Sequence, residues 1–492
     1  MKLYLIGHDY QYAAEQLLLS LFPQERPEYP SGKPEGDYML LKLSEGAHRL
    51  TASCTLCRGG QRWYGRAGAA KLDPADRLLY DRCCQRLIKN AGYRAAIASG
   101  MGRPPWGALT GVRPGKLFTP LLEQGLSGKE AMRRFMDSYD VSEKRAALCL
   151  DTSRHTLQAR HSLTERDVCL YVGIPFCPTR CAYCSFVSQS VEKSMALIGP
   201  FLDALYRELE ALAREMAALG LRVVSVYFGG GTPTTLSAGE LDALCGYIAR
   251  NFDLSALREY TVEAGRPDTI TMDKLQVLRR HGVDRISVNP QTMRDSVLSA
   301  IGRRHSAQDI VEALALVRQV GGFAVNMDLI AGLPTDDAAG FAQTMETVLA
   351  LEPENITVHT LSLKKGSRIT LEGAAIPDGE EVSQMLELAM ERLRGAGYVP
   401  YYLYRQKFMS GGFENVGWAK GDSINLYNIC IMEELCSILA AGGGGSTKLV
   451  HPRGGRNIRL MAPKYPQEYI SHIEKTCADK AQIGKFYRKE EE

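Results

Sequence analysis

From position 169 onward the chain alternates short apolar strands with amphipathic helices, and that rhythm restricts its fold more than any other feature. Strands are expected at 170–174, 222–228, 259–263, 285–288, 323–330 and 356–361, with helices at 200–219, 238–251, 272–281, 306–320 and 338–349 between them. A strand that returns through a helix lies parallel to its predecessor, so six such units make an α/β fold, a parallel sheet curled into a partial (βα)6 barrel. In such barrels chemistry gathers at the C-terminal ends of the strands.

That is where the most specific motif stands. After the first strand comes Val172-Gly173-Ile174-Pro175-Phe176-Cys177-Pro178-Thr179-Arg180-Cys181-Ala182-Tyr183-Cys184, a C-x3-C-x2-C set on a loop flanked by prolines. Thiolates are soft ligands suited to iron–sulfur clusters and zinc. Three of them on a four-iron cluster leave one iron open, as a catalytic metal keeps a vacant position. The alternative, three buried thiols packing as small hydrophobes, accounts for neither the spacing nor the placement.

The remaining chain is large enough for two to four domains in all. Residues 1–164 carry alternating runs at 38–43 and 48–54 and helical periodicity at 74–96 and 142–157, an N-terminal α+β module; residues 165–395 hold the barrel. Beyond 395 the rhythm stops, and 396–492 read as a C-terminal module rich in Tyr and Gly. With 59 Lys+Arg against 56 Asp+Glu the net charge is +3, which excludes a strongly basic nucleic-acid binder. The N-terminus lacks the continuous apolar stretch of a signal peptide, and no run approaches the roughly 18 apolar residues of a membrane span. Thirteen cysteines are too sparse for a disulfide scaffold, so a reducing cytoplasm with free thiols is expected. Cys54 and Cys57 form a C-x2-C without a second pair nearby and read as two separate thiols rather than half a zinc or redox site. Cys83 and Cys84 lie mid-helix, diverge by roughly 100°, and read as core.

Taken with Gly229-Gly230-Gly231-Thr232-Pro233-Thr234, Asp328-Leu329-Ile330-Ala331-Gly332-Leu333-Pro334 and Asn415-Val416-Gly417, the cysteine loop resembles the radical S-adenosylmethionine superfamily, and within it the oxygen-independent coproporphyrinogen III oxidase (dehydrogenase) family. Leu109-Thr110-Gly111-Val112-Arg113-Pro114 and Tyr401-Tyr402-Leu403-Tyr404-Arg405-Gln406-Lys407 are similar to its HemZ-like branch. The resemblance implies a [4Fe-4S] cluster on Cys177, Cys181 and Cys184, whose open iron binds S-adenosylmethionine and cleaves it to a 5′-deoxyadenosyl radical. It implies cofactor contacts at Tyr171, Tyr183, Gly230, Gly231, Thr232, Glu263 and Ser362, the glycine loop cradling the amino-acid end. Gln291, Arg303 and Asp328 match positions around a second S-adenosylmethionine, with Arg304 beside Arg303 as the competing surface charge. The glycine-rich segment Gly442 to Gly445 reads as a loop that lets a ligand approach. Catalytic groups acting directly on the substrate stay unassigned.

The activity implied is oxidative decarboxylation of two propionates of coproporphyrinogen III to give protoporphyrinogen IX, in a monomer served by an electron donor such as a flavodoxin or ferredoxin. Propionates call for guanidinium or ammonium partners, and Arg113, Arg405 and Lys407 are candidates. Two positions depart from the decarboxylating members. Phe186 stands where they carry a further Cys, and Gly173 where they carry His. A Phe after the cluster also occurs in haem-chaperone relatives, so a haem carrier that keeps the cluster, or another radical reaction on a haem-like substrate, stands as the alternative.

Overall fold

The computed structural model describes residues 1–184, 189–190, 194–362, 367, 369, 375–406, 412–451 and 456–488. The chain divides into one unit of Met1–Leu150 with Gly411–Phe413 and a second of Asp151–Ser410 with Glu414–Glu492.

In the first unit strands β1 (Lys2–Ile6), β2 (Tyr38–Glu45), β3 (Arg49–Arg58) and β4 (Gln61–Ala70) form one sheet in that order, β1 parallel to β2 and the rest antiparallel. Helices α1 (Gln11–Leu21) and α2 (Arg77–Ala98) cover it, with Leu17, Leu18, Met39, Leu41, Leu50, Leu56 and Ile88 in the shared core. Strand β4 goes unmarked in the sequence because it is polar and rich in glycine. Its Gly65 is needed there: a Cβ would come within 2.1 Å of the Ala91 carbonyl on α2. Cys54 and Cys57, three apart on β3, fall on opposite faces and join different apolar clusters, so they cannot share one ion. Cys83 and Cys84 are buried on α2. Helices α3 (Gly115–Glu123) and α4 (Gly128–Tyr139) follow, and the division at Leu150 falls inside α5 (Glu143–Ser162).

The second unit is built on an eleven-stranded sheet. Its centre is six parallel strands in sequence order: β5 (Asp167–Ile174), then β8 (Arg222–Gly230), β9 (Glu259–Glu263), β10 (Arg285–Ser287), β11 (Ala324–Ala331) and β12 (Asn355–Thr360). Two short strands, β6 (Phe176–Cys177) and β7 (Gln189–Ser190), pair with each other in the loop after β5. Helices α6 (Ile198–Leu219), α7 (Ala238–Asn251), α8 (Met272–Arg280), α9 (Asp295–Ala300), α10 (Ala307–Val320), α11 (Ala338–Ala350) and α12 (Gly379–Gly395) lie between or after these strands. Caps fix where several start: Ser237 with Glu240 and Ser306 with Asp309 form capping boxes, and Asp337 accepts from the Gly340 amide.

Each central strand has two unlike faces. One is apolar and buried, with Val168, Leu170 and Val172 on β5, Val226 and Phe228 on β8, and Met327 and Leu329 on β11. Side chains such as these stabilise the sheet by about 1.5–3 kcal/mol each when fully buried. The other face carries Tyr171, Tyr227, Glu263, Ser287, Asp328 and His359, residues suited to a polar ligand rather than to a greasy core.

The C-terminal residues do not stand apart from this sheet. Strands β13 (Val399–Arg405) and β14 (Glu414–Ala419) continue it antiparallel beyond β12, while β15 (Ser437–Gly442) runs parallel beside β5 and leads to β16 (Ser446–Leu449) and β17 (Ile458–Met461). Helix α13 (Leu426–Glu433) precedes β15, and α14 (Pro466–Ser471), α15 (Ile473–Asp479) and α16 (Ala481–Arg488) close the chain. The division expected near 395 therefore meets a continuous sheet. Antiparallel strands joined by short turns need no crossover helix, so the rhythm that marks the barrel ceases while its sheet goes on.

Candidate active site

The cysteine loop leaves β5 at the C-terminal end of the barrel, as its place in the sequence implies. No disulfide joins any of the thirteen cysteines, and Cys177, Cys181 and Cys184 are partly exposed, a state they share only with Cys477. The loop is held from several sides. Thr232 donates to the Cys177 sulfur at 3.4 Å, and the Gly231 and Thr232 amides donate to the Ile174 and Phe176 carbonyls. A Cβ on Gly231 would lie 2.4 Å from the Phe176 oxygen, so glycine lets the two loops touch. The Ala182 amide reaches the Ile301 carbonyl at 2.9 Å.

Two buried guanidinium groups stand beside Cys181. Arg266 lies 3.8 Å from its sulfur and donates to Thr179 Oγ1 at 2.9 Å. Arg303 donates to the Asn289 carbonyl at 2.7 Å, the Gly265 carbonyl at 3.2 Å and the Tyr183 hydroxyl at 3.1 Å. Both are nearly sealed from solvent, whereas Arg304 is exposed, which separates the two adjacent arginines. Burial, with the charges of Arg303 and Arg266 added, pushes His305 down to about 3, so this imidazole adds no third cation.

Further along the strand ends the groups are acidic. Burial pushes Glu263 up to about 7, against the Tyr227 hydroxyl that donates to it and with the nearby Asp328 adding to the rise. For Asp328 burial works in the same direction, but His359, Asn326 and Thr357 outweigh it and hold the carboxyl below the usual carboxylate range. Asn326 donates to Asp328 at 2.8 Å, and His359 Nε2 lies 3.7 Å from its other oxygen. Gln291 has a left-handed φ of 67°, and backbone bonds to Asp328 and Ile330 fix it against β11. The Ser362 hydroxyl is buried without a hydrogen-bond partner, and so is Arg266 Nη2. Tyr171 stacks on Tyr227 and Tyr427, with ring centres 6.3 and 6.2 Å away.

The expected residues thus meet in groups: Cys177 with Thr232, Tyr171 beside Gly229 and Gly230, Tyr183 with Arg303, and Glu263 and Gln291 each with Asp328. Among the described residues Ser362 bonds to none of the others. Arg405 is buried at the end of β13, Lys407 and Phe186 lie outside the described residues, and Arg113 belongs to the other unit. Arg266, Asn289, Tyr227, His359 and Tyr427 escaped the sequence reading. The alternation of β8 and β12 could have flagged Tyr227 and His359, but nothing local marks Tyr427.

The departure at Gly173 has a physical cause. A Cβ there would meet the Gly443 carbonyl oxygen at 2.8 Å and the Tyr171 ring at 3.3 Å. Gly442, at φ 99°, lies as tightly against the Gly173 carbonyl, so β15 occupies the room a side chain at 173 would need.

A barrel with three partly exposed thiols at its mouth defines a class, and residues 171–348 match the family model described as the radical SAM superfamily. One relative, the oxygen-independent coproporphyrinogen-III oxidase-like protein HemZ of Bacillus subtilis (strain 168), is 40% identical over 374 residues, 75% of each chain. The heme chaperone HemW of the same organism is 30% identical over 250 residues, 50% of this chain and 64% of its own. The coproporphyrinogen III oxidase HemN of Escherichia coli, titled a radical SAM enzyme, aligns over 65% of this chain and 72% of its own with TM-score 0.53 and 23% identity, a likeness of fold. The chain belongs to the radical SAM superfamily and, within it, to the oxygen-independent coproporphyrinogen III oxidase-like family that includes HemZ.

That superfamily uses a [4Fe-4S] cluster and S-adenosylmethionine, and the residues present fit both. Three soft donors share one loop, and beside them stand two buried guanidinium groups, Arg303 on neutral partners and Arg266 with Asp268 at 3.4 Å from its Nε, a setting that suits an anionic thiolate-bound centre. The unpartnered Ser362 hydroxyl and Arg266 Nη2 leave polar atoms for a ligand. No helix among the described residues is long and apolar enough to cross a membrane.

Proposed function

We propose that this chain is a radical SAM enzyme of tetrapyrrole metabolism that oxidatively decarboxylates two propionates of coproporphyrinogen III. One observation carries the reading: a network running from the cysteine loop to the acidic strand ends. Tyr183 accepts from Arg303, Arg303 donates to the Asn289 carbonyl, and Asn289 Oδ1 accepts from the Asp328 amide. It ties the cation-rich side of the mouth to an ionised carboxylate, a layout suited to two zwitterionic cofactors rather than to a passive cargo pocket. When bound, cluster and S-adenosylmethionine supply the radical that abstracts a hydrogen atom. The net change at each propionate is loss of that hydrogen, of carbon dioxide and of one electron to an acceptor, which leaves a vinyl group.

The chain's own residues position and exclude. Cys177, Cys181 and Cys184 would hold the cluster, Gly230, Gly231 and Thr232 the amino-acid end of S-adenosylmethionine, and Glu263 its hydroxyls, with Tyr171 and Ser362 lining the space. Gln291, Arg303 and Asp328 would hold the second molecule. Arg405 is the described candidate for a propionate.

A second reading is favoured by the close packing at Gly173, which leaves no room for the decarboxylases' His, and by the likeness to HemW. There the chain carries haem. Reconstituted protein given reductant, S-adenosylmethionine and coproporphyrinogen III under anaerobic conditions separates the two. The proposal expects a product lighter by two formic acid equivalents (carbon dioxide plus two hydrogens each) together with 5′-deoxyadenosine. Stoichiometric haem binding without turnover would replace it by the carrier.

A further inference from the structure

A second group of thiols lies in the same unit, apart from the cysteine loop. Cys169 on β5, Cys430 on α13 and Cys436 just before β15 bring their sulfurs within 4.8 Å of one another, and those of Cys169 and Cys436 are 3.7 Å apart. Two segments distant in sequence, β5 and the stretch from α13 to β15, converge to do this. All three side chains are buried, with Val224, Ile438 and Tyr427 in the surrounding apolar cluster.

The spacing is that of ligands. Two sulfurs bound at about 2.3 Å to one tetrahedral or trigonal ion sit roughly 3.8–4.0 Å apart, so Cys169 and Cys436 already stand at ligand spacing and Cys430 needs to move by no more than about 1 Å. A disulfide would need the same sulfurs to close to about 2.05 Å and would strand the third thiol. The donor set is all sulfur, which selects soft ions such as Cu(I) over hard ones. No histidine or carboxylate among the described residues joins the group. Glu259, the nearby acid, already accepts from Ser225 and from the Leu426 and Tyr427 amides. Structural zinc asks for four protein ligands, whereas a soft monovalent ion is satisfied by three sulfurs.

We propose that Cys169, Cys430 and Cys436 form a buried trithiol site for one Cu(I) ion. Occupied, it staples α13 and β15 to β5, the strand that delivers the cysteine loop eight residues later, and a ligand held only by the folded chain adds its binding energy to the fold.

The test uses the full-length chain with Cys177→Ser, Cys181→Ser and Cys184→Ser, so that the loop sulfurs do not compete. Cu(I) is offered anaerobically as its complex with a chromophoric chelator. The expected result is one tightly held equivalent, sulfur-only scattering at the copper edge, and a melting temperature raised by Cu(I). Adding Cys169→Val, Cys430→Ala or Cys436→Val should weaken that equivalent at least tenfold, judged on those variants whose circular dichroism matches the parent. Equal uptake with any of these substitutions, or no tight equivalent in the parent, overturns the site. Should all three fail to fold, the parent decides by its scattering: three sulfurs on one ion uphold the site and two overturn it.

Discussion

Arg266 is a residue whose role only the fold reveals. In the sequence it is one arginine before a proline in a loop, where a surface charge is the ordinary reading. In the structure it is sealed beside Cys181 and leans on Thr179 of the same loop. A positive charge there favours the more reduced, more negative cluster. Arg266→Leu should therefore lower the cluster's midpoint potential by on the order of 60 mV, a tenfold change in a one-electron equilibrium, while Arg266→Lys keeps most of it. Potentiometric titration followed by electron paramagnetic resonance reads this, and an unchanged potential would remove Arg266 from the site. Glu263 makes a prediction of opposite kind. Its carboxyl goes from an ordinary 4.5 to about 7 on folding, so between those values the unfolded chain holds fewer protons than the folded one. Stability is fullest below about 4.5 and falls as pH rises toward 7, by on the order of 2 kcal/mol for a side chain not wholly sealed. Glu263→Gln should flatten that slope in denaturant titrations across this window. An identical slope in wild type and variant would mean that Glu263 titrates normally.

Among the elements, the six parallel strands and their helices were legible because each strand alternates and each helix repeats at its own period. Strand β4 was not legible, being polar and glycine-rich; β13, β14, β16 and β17 were not, because antiparallel pairs need no crossover helix, and the parallel β15 was not, because it joins the far side of β5 and so falls outside the sequential rhythm. The last elements are tied in by a feature no periodicity reports: Glu208 on α6 pairs with Lys480 at 2.7 Å and accepts from the Gly442 amide at 2.7 Å and from the Tyr469 hydroxyl. Lys480→Ala would leave the Glu208 charge buried without its cation and should cost about 3–5 kcal/mol in chemical unfolding. Because Gly442 packs on Gly173, the same change should also loosen the cysteine loop. A loss below about 1 kcal/mol would show that Glu208 needs no such partner.

For the whole molecule, what sequence alone conveys well is the centre of the site, since cysteine spacing and glycine turns are local. What it conveys poorly is everything assembled from distant segments. Asn289, His359 and Tyr427 reach the mouth from three different elements, and the barrel interior becomes polar only when alternate residues of six strands face one another. The residues at 173 and 186 depart from the pattern that the resemblance implies for decarboxylating members, and at 173 the packing of Gly442 and Gly443 leaves no room for a side chain. The central claim is that Cys177, Cys181 and Cys184 hold a cluster that activates S-adenosylmethionine. Its most direct measurement is 5′-deoxyadenosine formed by the reconstituted, reduced protein, read beside the cluster's visible absorbance in wild type and Cys181→Ala. The account predicts both signals in the wild type and neither in the variant. A variant with cluster absorbance and 5′-deoxyadenosine equal to wild type would contradict it.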